Sequence, residues 1–558
     1  MSGHEPDTEN STNEQALEVL RAGLRGLHDQ LEEQAVHNVA QVAYSTDGRT
    51  FEYEAPLSFP FPVGSYVLLQ SADGQEYLGQ ITTKETVKQQ GAEVDFSIDE
   101  RQADLFPEGL SITGIRDRLR VLALEGSGVL LGTVSADSIS PTTSSDTFRK
   151  ATVARVDAAV VSRYLSGSSE RAKLPVGRAL YVDGEATVSL DAGGFARHTF
   201  LCGQSGSGKT FSLGIVLEQL LLETDLRILV IDPNSDFVNL NQVRPHEEVN
   251  QFRSAPLSED AYDALKERYQ DATASLQVCR PASMATDGDD VLRVRFGDLS
   301  RREQATVLGL DPLEDREEFN AFWNTIDDIG RQDYSWDDVR DAVSHDYSAE
   351  ARQLGMRIEN LGLAEWEVWC SRGETSLVDT IAHSDWRCLV LDIGTSGSPS
   401  EKMVITNAVL TRLWEERNQR RPTLVVVDEA HNVCPRNPAD DLQSISTEAV
   451  ARIAAEGRKY GLYLLLSTQQ PGKIQANTLS QCANLLLMRM NSTPDLTQLG
   501  DIFSHVPTSL LEEASKFGLG ETVIGGRLVG NPTFAKFEGR LSVEGGGDVS
   551  KAWATPHE

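Results

Sequence analysis

Between Thr199 and Phe211 the chain reads TFLCGQSGSGKTF. Gly203, Gly208, Lys209 and Thr210 satisfy the spacing G-x-x-x-x-G-K-[ST], in which glycines let successive backbone N–H groups turn inward around phosphate oxygens. The lysine of such a loop reaches the terminal phosphates of a nucleoside triphosphate, and the threonine hydroxyl takes a place on Mg²⁺. The predicted seat runs through Gly203, Gln204, Ser205, Gly206, Ser207, Gly208, Lys209, Thr210 and Phe211. Its predicted ligands are ATP and Mg²⁺.

A second set of residues completes the chemistry. Leu424 and the β-branched Val425, Val426 and Val427 form an apolar run ending in Asp428 and Glu429. A strand of this kind delivers its terminal acids to the carboxyl edge of a sheet, where a phosphate loop also opens. Asp428 can then hold the magnesium with Thr210, and Glu429 can polarise an attacking water as general base. LYLLLST ends in Thr468, Gln469 and Gln470, so Gln469 is placed to sense the terminal phosphate. Asp232 and Asp392 also follow apolar runs, where they either assist the site or cap a turn. His431 has no partner at metal spacing and reads as a satisfied loop histidine.

Those residues need elements to position them. HTFLCG ahead of the loop reads as a buried strand, and TFSLGIVLEQLLLE after it as a helix. Further buried-strand candidates are LRILVID, RCLVLDIG, TLVVVDE, LYLLLST and NLLLMRM, alternating with helical patterns as a helix-covered parallel sheet requires. From 35 to 130 the apolar period is two, and the turn dipeptides Asp47-Gly48 and Asp73-Gly74 separate strand patterns, so a small N-terminal β-barrel is predicted. Before it, 1–34 combines an acidic tail with a leucine seam at Leu17, Leu20, Leu24, Leu27 and Leu31. After it, 131–150 reads as a linker. The core occupies 151–245 and 376–545, and is interrupted by a mostly helical insertion over 246–375. GETVIGGRLVGNP suggests a C-terminal hairpin arm reaching a neighbour, and 546–558 is a tail.

At 558 residues the chain is long enough for several domains. No run approaches the roughly 18 apolar residues that cross a bilayer, and the start is acidic and polar, so a cytoplasmic protein without membrane contact is expected. Six scattered cysteines, none in C-x-x-C spacing, read as reduced thiols. A formal charge of -33 argues against indiscriminate coating of nucleic acid or anionic membrane, while leaving room for a recessed basic channel.

Taken together, ARHTFLCGQSGSGKT, VIDPNSDF, VVVDEAHNVCP and AAEGRKYGLYLLLSTQQPGKIQANTLSQC resemble, in order, the blocks of the HerA/FtsK superfamily of DNA-translocating ATPases, in its HerA-like branch. The resemblance implies an α/β fold: a RecA-like P-loop NTPase core with an N-terminal HerA-type barrel and the helical insertion. It also implies a homo-oligomer, a hexameric ring, with ATP sites between subunits and double-stranded DNA in the central channel. On this reading Arg197 acts in trans and Arg458 lies close to the phosphates, each joining Lys209, Glu429 and Gln469 in catalysis. Such proteins work with a separate nuclease or other effector enzyme in DNA-end processing or anti-phage defence, and this chain carries no nuclease constellation of its own.

The sequence departs from the family pattern in two places. Asn234, Ser235 and Asp236 stand where histidine-glycine-glutamate is usual, and Gln469-Gln470 replaces Gln-Arg. Arg436 and Lys473 are available for DNA contact. Competing readings are an ATP-controlled oligomeric scaffold and a conjugation- or secretion-type ATPase.

Overall fold

Alternation of apolar and polar residues builds the first part of the chain. In a computed structural model, which describes residues 41–88, 122–167, 171–383, 385–395 and 397–545, the strands β1 (Val42–Ser45), β2 (Thr50–Pro56), β3 (Tyr66–Ser71), β4 (Glu76–Ile81), β5 (Glu85–Lys88), β6 (Leu122–Val134), β7 (Ile139–Ser140) and β8 (Phe148–Arg155) form one sheet. Its path β2-β1-β8-β3-β4-β6 closes through a β2–β6 pairing, so six strands make a barrel without free edges. Phe51, Tyr53 and Ala55 of β2 point inward with Leu69, Tyr77, Phe148 and Val153. The leucine seam and both predicted tails lie outside the described residues.

The stretch read as a linker is part of this barrel. It holds the end of β6, all of β7 and the start of β8, and β8 pairs with both β1 and β3 to close the ring. SADSISPTTSSDT is rich in turn formers, which masked the strand beyond it; Phe148, Ala151 and Val153 are the inward-facing residues that specify β8.

The remainder builds a sheet of twelve strands: β9 (Lys173–Ala179), β10 (Thr187–Asp191), β11 (His198–Cys202), β12 (Arg227–Asp232), β13 (Leu276–Arg280), β14 (Asp290–Val291), β15 (Cys388–Asp392), β16 (Thr423–Val427), β17 (Leu462–Thr468), β18 (Cys482–Met488), β19 (Glu521–Gly525) and β20 (Thr533–Phe537). Their order is β10-β9-β20-β19-β18-β11-β17-β16-β12-β15-β13-β14. The eight strands from β18 to β14 run parallel. The strands β11, β15 and β16 are buried along their whole length, which is why their sequences are unbroken apolar runs.

Two expectations need correction. Helices fill much of 246–375, among them Glu259–Ala272, Arg316–Ile329, Trp336–His345 and Ala349–Asn360. Yet β13, from inside that range, pairs with β15 as part of the main sheet. LQVCR is short and half polar, so it lacks the apolar run that marks its neighbours. The C-terminal hairpin is also no arm: β19 pairs with β18 and β20 with β9, placing both strands inside the sheet. The chain divides into two compact units, one comprising the described residues up to Arg163 with Tyr181–Gly184, the other comprising Tyr164–Leu180 and the rest.

Candidate active site

The phosphate-type loop joins β11 to the helix Lys209–Glu223 at the carboxyl edge of the parallel strands. Glycine is required at two of its positions. A Cβ on Gly203 would stand 2.7 Å from Ser207 Oγ and 2.8 Å from Met488 Cβ, and Gly208 caps the helix at φ 91°. Neighbouring segments hold the loop: Gln204 N–H donates to the Arg489 carbonyl at 3.0 Å, and Gly520 N–H to the Ser207 carbonyl at 2.9 Å.

Tertiary packing then brings the acids to the lysine. Lys209 Nζ lies 2.6 Å from Asp428 Oδ1, 3.2 Å from Glu429 Oε1 and 3.0 Å from Ser467 Oγ. The lysine is 5% exposed, and burial alone would lower its pKa; the two carboxylates outweigh burial and raise it. Burial likewise works against the Glu429 carboxylate, but His431, Lys209 and Gln469 bring its pKa down to about 2. Gln469 Nε2 donates to Glu429 Oε1 at 2.9 Å.

The second acid of the VIDPNSDF block joins this group. Thr210 Oγ1 donates to Asp236 Oδ2 at 3.4 Å. Burial and the nearby charge of Asp428 raise the Asp236 pKa to about 6. Asp232 is the turn-capping residue: its carboxylate accepts from the backbone N–H groups of Asn234, Asp236 and Phe237, while burial pushes its pKa up to about 7. Asp392 has a similar supporting part, accepting from Ser235 Oγ at 2.8 Å and pairing with Arg280 at 3.4 Å. Ser235 itself sits at φ 60°.

These oxygens suit magnesium. Asp428 Oδ2 is buried with no hydrogen-bond donor, an arrangement that favours a cation beside it. Among the described residues no cluster of three or more His, Cys, Asp or Glu could hold a metal by itself. A hard ion shared between phosphates and one or two protein oxygens fits that donor set, with Thr210 and Asp428 as the oxygens.

The two arginines lie elsewhere. Arg197 precedes β11 and Arg458 lies in the turn Gly457–Tyr460 before β17, so both are at the amino edge and both are exposed. Burial, followed by the charges of Arg458 and Arg197, lowers the pKa of His198, the first residue of β11, to about 4. Arg458 is therefore separated from its own phosphate loop by the length of β17, roughly 20 Å at about 3.3 Å per residue. Within one chain it therefore does not lie close to the phosphate loop. Arg436 and Lys473 are exposed and adjacent, the Arg436 N–H donating to the Lys473 carbonyl at 2.6 Å.

Sequence reasoning missed several neighbours of the loop. Arg489, the residue after β18, donates through Nη2 to the Gly206 carbonyl at 3.0 Å. A basic residue ending NLLLMR was visible, but only the strand order puts β18 beside β11. A cavity of about 720 Å³ opens beside the loop and is lined by Phe211, Phe252, Arg253, Leu519 and Phe537. No local pattern marks Leu519 or Phe537 for that place. All six cysteines are free and buried. Among the described residues, no helix is long and apolar enough to cross a membrane.

A glycine loop between a buried parallel strand and a helix, with its lysine against two acids from the end of another strand, defines a P-loop nucleoside triphosphatase. The family model for the central domain of helicase HerA matches residues 174–362. The chain is 22% identical over 383 residues to the DNA double-strand break repair helicase HerA of Sulfurisphaera tokodaii, covering 66% of this chain and 70% of that protein. It is 23% identical over 369 residues to the helicase of the same name from Saccharolobus solfataricus, covering 63% and 67%. Among solved structures, VirB4 of Thermoanaerobacter pseudethanolicus aligns with a TM-score of 0.42 at 15% identity, over 67% of this chain and 97% of that one. Over its central part the chain is similar to HerA helicases.

Proposed function

We propose that this protein is a Mg²⁺-dependent ATP-hydrolysing motor with a RecA-like core, a hexameric ring that translocates on or unwinds double-stranded DNA in its central channel. The observation that carries the reading is the convergence of Lys209, Asp428 and Glu429 within 3.2 Å at the mouth of the loop. Lys209 and the amino end of its helix hold the phosphates. Thr210 and Asp428 hold magnesium, which when bound neutralises phosphate charge. Glu429, ionised at neutral pH, takes the proton of the attacking water, and Gln469, in contact with it, senses the terminal phosphate.

Phosphoryl transfer also needs a cation to offset charge developing on the departing group. Arg197 and Arg458, exposed at the opposite edge, serve the site of the adjacent subunit. Arg436 and Lys473 are exposed for sequence-independent attraction to DNA phosphates, which weakens steeply with salt. The names of the relatives support the DNA reading. A separate nuclease or other effector enzyme completes the pathway, in DNA-end processing or anti-phage defence.

The purified protein is expected to hydrolyse ATP faster with duplex DNA. Glu429→Gln is expected to lose turnover by about 10²–10⁴-fold while retaining bound ATP. Unchanged turnover across DNA concentrations, with and without candidate partners, would remove the motor reading.

A further inference from the structure

Glu429 adopts φ 44° and ψ 49°, a left-handed conformation that residues with a Cβ enter at a steric cost. The Asn432 N–H donates to its carbonyl at 2.8 Å and closes the short turn Ala430–Asn432. That turn brings His431 back onto the same carboxylate. His431 Nδ1 lies 3.2 Å from Glu429 Oε2 and 3.0 Å from Thr468 Oγ1. The Thr468 hydroxyl, at the end of β17, also accepts the Gln470 N–H at 3.0 Å.

The two oxygens of Glu429 thus have different partners. Oε1 pairs with Lys209 and accepts from Gln469, whereas Oε2 accepts no aligned hydrogen bond and faces the imidazole at 3.2 Å. A carboxylate only accepts, so the His431 contact is attractive when Nδ1 carries a proton. Lys209 is the partner for which a triphosphate competes. His431 belongs to neither the phosphate loop nor the metal oxygens, and its hold on Glu429 is independent of that competition.

We propose that His431 is a positioning residue: its Nδ1, hydrogen-bonded to Thr468 at the end of β17, stands 3.2 Å from Glu429 Oε2, an oxygen without an aligned donor, and fixes where that carboxylate points. The proposal rests on the reading of Glu429 as general base. It couples two adjacent strand ends, one carrying the base and the other carrying Gln469, so displacement of either misaims the carboxylate. A histidine needed only for packing would act through its bulk, and any side chain filling the space would serve.

The test uses full-length protein carrying His431→Phe, His431→Asn or His431→Gln, with Glu429→Gln alongside, and measures ATP turnover and affinity for a fluorescent non-hydrolysable ATP analogue. His431→Phe is expected to lower turnover about 10–100-fold, as loss of an outer orienting partner does elsewhere, with analogue affinity unchanged. His431→Asn places an amide nitrogen where Nδ1 stood and is expected to restore most of the turnover; His431→Gln reaches the Nε2 position and is not. Equal turnover in the Asn and Gln variants, or full turnover in the Phe variant, overturns the proposal. If the Phe variant loses analogue binding, the Asn and Gln pair decides. Full turnover in Glu429→Gln would instead defeat the general-base reading itself.

Discussion

The two edges of the parallel sheet differ in how much of their chemistry is completed within one chain. At the carboxyl edge Lys209, Asp428 and Glu429 are buried and mutually paired, with Gln469 hydrogen-bonded to the glutamate and His431 beside it. At the amino edge Arg197, ahead of β11, and Arg458, ahead of β17, stand exposed. A buried charge must find its compensation inside the fold, or the fold carries a large desolvation cost. An exposed guanidinium has no such constraint and can serve a second molecule. On the proposed function, the contrast separates hydrolytic groups, which one chain assembles, from cations for phosphoryl transfer, which it displays outward.

The largest effect expected to break this comparison comes from Arg197→Ala. Turnover should fall about 10³-fold, the scale of an arginine supplied in trans, with ATP binding retained. Mixing that variant with Lys209→Ala should recover part of the turnover, because some interfaces then join an intact loop to an intact arginine. No recovery on mixing would show that the amino edge does not serve a neighbour. Arg458→Ala should cost less, about 1.5 kcal/mol or roughly tenfold in rate, as one charge-assisted hydrogen bond does.

The smallest effect concerns the turn beneath the acids. The Asp232 pKa is raised from 3.8 to about 7, so its protonated form is favoured in the folded state. Its stabilising contribution is complete below about pH 3.8 and is lost as pH rises through about 7. Relative to Asp232→Asn, the wild type should lose a few degrees of melting temperature between about pH 4 and pH 7. Parallel melting curves for the two proteins across that range would discount the raised pKa.

Much of the carboxyl edge was legible because its signals are local. The loop GQSGSGKT, the run ending at Asp428 and the strand LYLLLST each carry their pattern within a few residues. The strand β8 and the strand β13 were not, since each is partly polar and specified by partners distant in the chain. The hairpin of β19 and β20 was visible as a hairpin, but its place between β18 and β9 was not. Arg458 precedes β17 and so falls at the amino edge, while Gln469 follows the same strand at the carboxyl edge.

The amino-acid sequence by itself determined the glycine turn at the phosphate loop, the apolar strands that flank it and the acids at a strand terminus, because backbone freedom and hydrophobic patterning act over short distances. Only the tertiary structure decided that β17 lies between β11 and β16, that Lys209 meets an acid 219 residues away, and that His431 turns back onto Glu429. Strand order follows from how whole faces are buried against one another, and that choice is made by the assembled sheet.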